Sequence, residues 1–379
     1  MTIFLPPGVV ITGSGLFTPQ HTITNDELVD AYNRYAEQFN SDHAGAIAAG
    51  EMEEKPFSSA RFIEKASGIR SRHVYAKAGI LDTKRMRPRF PERAESEISH
   101  QAEMAVHAAR EAMVAAGKTP ADIDAVIVAC TYTQRAYPAI AIEVQHALNI
   151  EKGFGFDMLG ACSAATFGLH RAFDSLMAGS ATCVLVLHPE LVTPQVNYCD
   201  RDSHFIFGDV AAAVILERAD TCAKGKGFDV LGVAAMTRFS SNIRSNFGHL
   251  SHAFDGDPFA TDKLFHQAGR KVFEEVSPMA AGHIQNHLAG HGIRPDQVAR
   301  FWLHQANINM NRMVIKHLLN TEAGPETVPA ILDEFGNTAS AGSIVAFHLH
   351  HHGIKPNDIG VICSFGAGYS VCSLILRKR

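Results

Sequence analysis

No apolar run in this 379-residue chain reaches the length of a bilayer-spanning helix, so a membrane-spanning helix is not expected. The basic residues form no long tract and the formal net charge is -5, which removes the electrostatic footprint of a nucleic-acid binder. The seven cysteines (130, 162, 183, 199, 222, 363, 372) are odd in number and include no CxxC pair, in a chain far too large to need disulfide staples. Reduced thiols are expected. Met1-Thr2-Ile3-Phe4-Leu5-Pro6-Pro7 has no basic region followed by a sufficient apolar stretch, so it does not read as a secretory signal, and a cytoplasmic location is expected. Gly13-Ser14-Gly15 follows a strand-like run, but Thr18 stands where a dinucleotide fingerprint needs its third glycine, which excludes a Rossmann cofactor site. No metal site is expected. His348, His350, His351 and His352 read as a solvated helix C-terminus, and His283, His287 and His291, though spaced for zinc, have no glutamate or cysteine to complete a recognised set.

What is present is a globular composition, 46% hydrophobic and 19% charged, in a chain long enough for two packed halves. Short β-branched runs alternate with longer amphipathic stretches, which predicts an α/β protein with buried sheets. Strands are expected at Val9–Gly13, Ala125–Cys130, Phe154–Leu159, Cys183–Leu187, Ala211–Leu216, Gly360–Cys363 and Ser373–Leu376. Helices are expected over Glu97–Ala116, Cys162–Ala178, Phe265–Gly290, Ile308–Leu319 and Ala341–His352. A helix-ending glycine, a proline and a following apolar strand recur at Gly117-Lys118-Thr119-Pro120, Gly353-Ile354-Lys355-Pro356 and Gly292-Ile293-Arg294-Pro295. This repeat suggests duplication, with halves at 1–218 and 219–379. Two stretches break the regularity and read as surface insertions: 31–56, polar and rich in small residues, and 77–93, which carries Lys84, Arg85, Arg87, Arg89 and Arg93. The basic one reads as a solvated loop in preference to a dock for an anionic partner.

Cys162 sits where the run Phe154–Leu159 gives way to the small-residue helix opening Ala161-Cys162-Ser163-Ala164. A helix N-terminus favours thiolate, so a lowered thiol pKa is expected. Downstream, polar residues interrupt apolar context in Trp302-Leu303-His304-Gln305-Ala306-Asn307 and Phe335-Gly336-Asn337-Thr338. Alone, His304 could be a satisfied core histidine and Asn337 a turn residue.

Together, the order Cys, His-Gln-Ala-Asn, Gly-Asn-Thr resembles the beta-ketoacyl-acyl-carrier-protein synthase III family of the thiolase-like condensing enzymes. The resemblance extends from Thr24-Asn25-Asp26-Glu27-Leu28 and Ser67-Gly68-Ile69-Arg70-Ser71-Arg72, through Phe207-Gly208-Asp209, to Phe365-Gly366-Ala367-Gly368. It implies a thiolase-like fold of two duplicated α/β halves in a five-layered α-β-α-β-α arrangement, and a homodimer. It also implies a decarboxylating condensation of an acyl primer from acyl-coenzyme A with malonyl-acyl-carrier-protein, without metal or redox cofactor. Cys162 would carry the acyl group, His304 and Asn337 would stabilise the enolate, and backbone N–H groups of Cys162 and Ala367 would hold the acyl oxyanion. Thiolases place a second cysteine, and elongating synthases a second histidine, where this chain has Asn337. Head-to-head condensing relatives carry glutamate before the proline of the dimer-contact loop; here Tyr137 precedes Pro138 and is expected to reach the partner's acyl tunnel.

The chain also departs from that pattern. Phe62 stands at the tryptophan that stacks coenzyme A adenine, Ala66 at the neighbouring arginine with Lys65 beside it, and Asn309 at the basic residue after His-Gln-Ala-Asn, with Arg312 one turn on. Phe62, Lys65 and Arg312 are therefore candidate coenzyme A or carrier contacts. The missing tryptophan and the enlarged N-terminal region point to a primer longer than acetyl, in the medium-chain range. The alternatives are a synthase III-like acyltransferase or condensing enzyme of specialised metabolism and a non-catalytic carrier-binding paralogue.

Overall fold

In the computed structural model, residues 8–246, 255–257 and 260–379 are described; the Met1–Pro7 stretch lies outside them. The first half runs β1 (Val9–Phe17), β2 (His21–Thr24), α1 (Asn25–Asp42), α2 (Ala44–Ala48), α3 (Ala60–Ser67), β3 (Ser71–Val74), α4 (His100–Ala116), β4 (Ala125–Cys130), α5 (Ile140–Leu148), β5 (Phe154–Leu159), α6 (Ala164–Met177), β6 (Cys183–Glu190) and β7 (Val210–Arg218). The second runs β8 (Phe228–Ser240), β9 (Ile243–Arg244), β10 (His266–Gln267), α7 (Gly269–Gly290), β11 (Val298–Leu303), α8 (Ile308–Leu319), α9 (Leu332–Phe335), α10 (Gly342–His350), β12 (Ile359–Gly366) and β13 (Gly368–Lys378).

Nine strands form one sheet in the order β11-β12-β13-β8-β1-β7-β6-β4-β5. Strand pairing repeats across it. In one half β4 lies parallel to β6, β6 antiparallel to β7, and β7 antiparallel to β1; in the other, β11, β12, β13 and β8 follow the same sequence of relations. The halves meet where Val9–Ile11 pairs with Phe228–Val230.

Three apolar cores explain the layering. Helices α6 and α10 share a central core with the inner faces of both sheet halves, including Ile127, Val186, Trp302, Ile362 and Leu374. Helices α4 and α5 cover the outer face of the first half, and α7 and α8 that of the second. The stack is therefore α-β-α-β-α. Helix α10 is apolar nearly all round because sheet surrounds it. The Gly13-Ser14-Gly15 segment has a packing role: a Cβ at Gly13 would stand 2.4 Å from the Ala112 carbonyl oxygen, and one at Gly15 2.2 Å from that of Ala108. The two glycines let α4 lie directly on β1.

The strands at 125–130 and 154–159 and the helix at 308–319 occupy their predicted spans. Sequence reading missed β8, whose exposed far end carries polar residues that blur its alternation. The stretch 31–56 is not one loop. Helix α1 extends to Asp42, capped by Thr24 and Glu27 in a reciprocal capping box. The 77–93 segment has no strand or helix, yet Ile80 and Met86 are buried in an apolar cluster with Ile69 and Phe207, so it is more than a solvated loop.

Phe347 of α10 packs edge-on against Trp302, with ring centroids 5.0 Å apart, and against Phe228 at 5.4 Å. Truncation there opens a cavity between the two sheet halves, so Phe347→Ala should lower unfolding free energy by about 3–5 kcal/mol, measured from the urea midpoint.

Candidate active site

Cys162 lies in a short 3-10 turn, Ala161–Ser163, that joins β5 to the first turn of α6, not within the α-helix itself. His304 follows the last residue of β11, its N–H donating to the Cys363 carbonyl at 2.8 Å. Asn337 follows α9, and its strand-like contact with Phe207 ties it to the Phe207-Gly208-Asp209 segment. All three line one cavity of about 40 Å³ with Phe207, Phe265, Phe365 and Gly366.

The side chains are oriented before any substrate arrives. Asn337 Oδ1 accepts the Ala339 N–H at 2.9 Å, so the amide nitrogen is the end left to donate. His304 is 1% exposed, stands edge-on to Phe365 and has no partner for Nδ1. Burial alone pulls its pKa down to about 4, so it is a neutral imidazole at pH 7. Gly366 gives the close approach over the thiol: a Cβ there would stand 2.4 Å from the Cys162 Cβ and 2.9 Å from Sγ.

The expected lowering of the thiol pKa is reversed. Burial of the sulfur pushes Cys162 up to about 11, reinforced by the charge of Glu190 and opposed by the N–H groups of Ala367 and of Cys162 itself. Desolvation of the thiolate outweighs the polar turn because the sulfur is enclosed, although the residue as a whole is only half-buried. The same two N–H groups are the pair expected to hold an acyl oxyanion.

Several supporting residues had no role assigned to them in the sequence reading. Glu190, at the end of β6, accepts the N–H groups of Ser340 and Thr131, each at 3.2 Å, and thereby joins the loop after Asn337 to the loop that carries Tyr137. Its burial raises the carboxyl to about 7. Gln305 accepts the Ile331 N–H at 3.1 Å and donates to the Leu303 carbonyl at 2.8 Å. Asp209 accepts from the Tyr75 and Thr193 N–H groups, both at 2.9 Å, while Arg72, 1% exposed, donates to Asn25 and to the Ile23 and Phe205 carbonyls. The Phe-Gly-Asp and Ile-Arg-Ser-Arg motifs thus brace the loop behind the site. Val210 begins β7 directly after this segment.

The remaining candidates lie outside this cavity. Tyr137 is 85% exposed. Phe62 and Lys65 are on α3 and Arg312 on α8, two helices joined by Asn307 donating to the Ala66 carbonyl at 2.6 Å.

Known proteins match this arrangement along most of the chain. The family described as 3-oxoacyl-[acyl-carrier-protein (ACP)] synthase III matches residues 156–237, and its C-terminal counterpart matches 288–378. The beta-ketodecanoyl-[acyl-carrier-protein] synthase of Pseudomonas aeruginosa is 52% identical over 351 residues, covering 93% of this chain and 100% of the relative. The chain belongs to the beta-ketoacyl-acyl-carrier-protein synthase III family. A synthase III of Bartonella bacilliformis is 30% identical over 289 residues, 74% of this chain and 86% of that protein. In fold, this synthase III superposes on the Aquifex aeolicus 3-oxoacyl-[acyl-carrier-protein] synthase III with a TM-score of 0.76 at 23% identity, over 98% of this chain and 100% of that one. It is an acyltransferase-type condensing enzyme of fatty acid synthesis, in a family that is generally cofactor-independent. No helix among its described residues is long and apolar enough to cross a membrane.

A thiol raised to about 11 yields thiolate only as pH climbs toward that value. Iodoacetamide modification of Cys162, measured by peptide mass against Cys162→Ser, should therefore be slow at pH 7 and still rising above pH 9. A plateau below pH 8 would mean that the turn dipoles outweigh burial.

Proposed function

We propose that this synthase III condenses a medium-chain acyl primer, preferentially octanoyl, with malonyl-acyl-carrier-protein, using Cys162 as nucleophile and His304 with Asn337 as oxyanion donors. The observation that carries this reading is a thiol, a neutral imidazole and an amide whose oxygen is already engaged, all lining one small cavity. First, Cys162 Sγ attacks the acyl thioester: the new C–S bond forms, the donor's C–S bond breaks, and the thiol proton leaves with the departing sulfur. No net charge is buried, which suits a resting thiol. The N–H groups of Cys162 and Ala367 fit the acyl oxygen. Malonyl thioester then loses carbon dioxide, and the electron pair of the broken C–C bond becomes an enolate whose oxygen accepts hydrogen bonds from His304 and Asn337. The enolate carbon attacks the acyl group, the acyl C–S bond breaks, and Cys162 leaves as thiolate, which takes up one proton from solvent to restore the resting thiol. In this reading no metal or redox cofactor is needed.

The primer length follows from the Pseudomonas aeruginosa relative. A beta-ketodecanoyl product has ten carbons, two from malonate and eight from the primer. The cavity of about 40 Å³ holds little more than one water and cannot take such a chain. The chain would leave toward Tyr137 at a subunit interface. Support for a homodimer comes from β5, an edge strand that exposes Phe154, Phe156 and Leu159 beside Ile142. The reading also takes 1–218 and 219–379 as duplicated halves, supported by the repeated strand order, and places the enzyme in the cytosol with acyl carrier protein.

Intact-mass measurement after incubation with mixed acyl-coenzyme A thioesters should show an octanoyl adduct on the parent and none on Cys162→Ser; preferential acetylation would overturn the primer assignment. Asn337→Ala should still acylate but lose carbon dioxide release from malonyl-carrier protein by ~10²–10³-fold. An equal loss in both steps would remove Asn337 from the enolate step, and intact acyl transfer without carbon dioxide release in the parent would make the protein a simple acyltransferase.

A further inference from the structure

The candidate catalytic cavity borders a larger cleft, which in turn borders a basic groove. Phe265 and Gln267 line both it and a cleft of about 750 Å³. Asn197, Cys199 and Thr261 line both that cleft and a groove of about 1160 Å³ walled by the 77–93 insertion. Charge is sorted along this path. The cleft is mixed, with Lys55, Arg244 and Arg270 among Asp200, Asp202 and Asp262. The groove gathers Lys84, Arg85, Arg87, Arg89 and Lys263 around one carboxylate, Asp82.

The insertion is shaped to present these cations. Buried Ile80 and Met86 anchor it, and the Arg87 and Arg89 N–H groups return to the Gly79 and Ala78 carbonyls at 3.2 and 2.7 Å. The Arg85 guanidinium donates to the Arg87 and Pro88 carbonyls, both at 3.2 Å, which fixes its plane without neutralising it. Among the described residues, neither Lys84, Arg85 nor Arg89 is paired with a carboxylate. Meanwhile Phe62, the candidate adenine contact, already carries the Arg201 guanidinium 3.9 Å above its ring and meets Phe205 at 88°. Arg201 thus already covers one face of that ring.

We propose that the basic groove binds the adenosine 3′,5′-bisphosphate end of acyl-coenzyme A, while the uncharged pantetheine arm crosses the mixed cleft to Cys162. Phosphate oxygens accept hydrogen bonds from lysine and arginine, whereas the amides and hydroxyl of pantetheine suit a surface of balanced charge. This inference rests on the condensing-enzyme reading for the identity of the donor.

The test compares octanoyl-coenzyme A with octanoyl-pantetheine, which lacks every phosphate, in the Lys84→Ala/Arg89→Ala variant. Arg85 is left intact because it holds the loop. The variant should raise KM for octanoyl-coenzyme A by ~10-fold more than for octanoyl-pantetheine, with little change in kcat. Lys84→Glu should do the same. Adenosine 3′,5′-bisphosphate should bind the parent by calorimetry and lose a similar factor in the variant. Equal losses with both thioesters, an unchanged KM for octanoyl-coenzyme A, or an effect confined to malonyl-carrier protein would overturn the proposal. Calorimetry needs no acyl chemistry. Variant-sensitive binding in a protein whose Cys162 never acylates would therefore overturn the condensing reading and uphold the groove.

Discussion

The constraint on which the candidate site depends is the approach of the β12–β13 turn to the thiol. Only a residue without a side chain can stand where Gly366 does, because any Cβ would fall 2.4 Å from that of Cys162. Cys162 belongs to the first half and Gly366 to the second, so the contact exists only when α6 and α10 are packed together in the central layer. A hydrogen bond between the Ser163 and Ser370 hydroxyls closes the same seam. The site is thus built across the join of two similar halves.

That seam also sets the electrostatics. Enclosure removes water from every polar group in it, and each group then prefers its neutral form. His304 falls to about 4, Cys162 rises to about 11 and Glu190 rises to about 7, all led by burial. An enolate or tetrahedral oxyanion entering such a cavity finds donors that need no reorganisation and little water to compete with them. The neutral cavity and the cationic groove consequently divide the work, one handling charge that develops during reaction and the other the permanent charge of the donor.

Much of the candidate site was legible along the chain. Cys162, His304 and Asn337 stand out because polar residues at apolar strand ends are costly unless used, and the spans of β4, β5 and α8 follow directly from their periodicity. Glu190 was not legible, nor were the bracing roles of Gln305 and Arg72, since their partners include backbone groups of distant loops that no local pattern reveals. Helix α1 was obscured by its weakly apolar composition, although its Thr24 and Glu27 capping pair was available to read. The 77–93 segment displayed its charge in the sequence but not its anchorage, which depends on Ile80 and Met86 meeting residues from elsewhere in the chain.

By itself the sequence determined the candidate reactive groups, their order, the α/β alternation and the uneven placement of positive charge. These are local properties, carried by side-chain type and spacing. Only the tertiary structure decided the protonation of the thiol and imidazole, the direction in which Asn337 donates, and the placing of cavity, cleft and basic groove side by side. The physical reason is that solvation and hydrogen-bond partnership depend on what surrounds a group in space, and here those surroundings come from segments as far apart as Cys162 and Gly366.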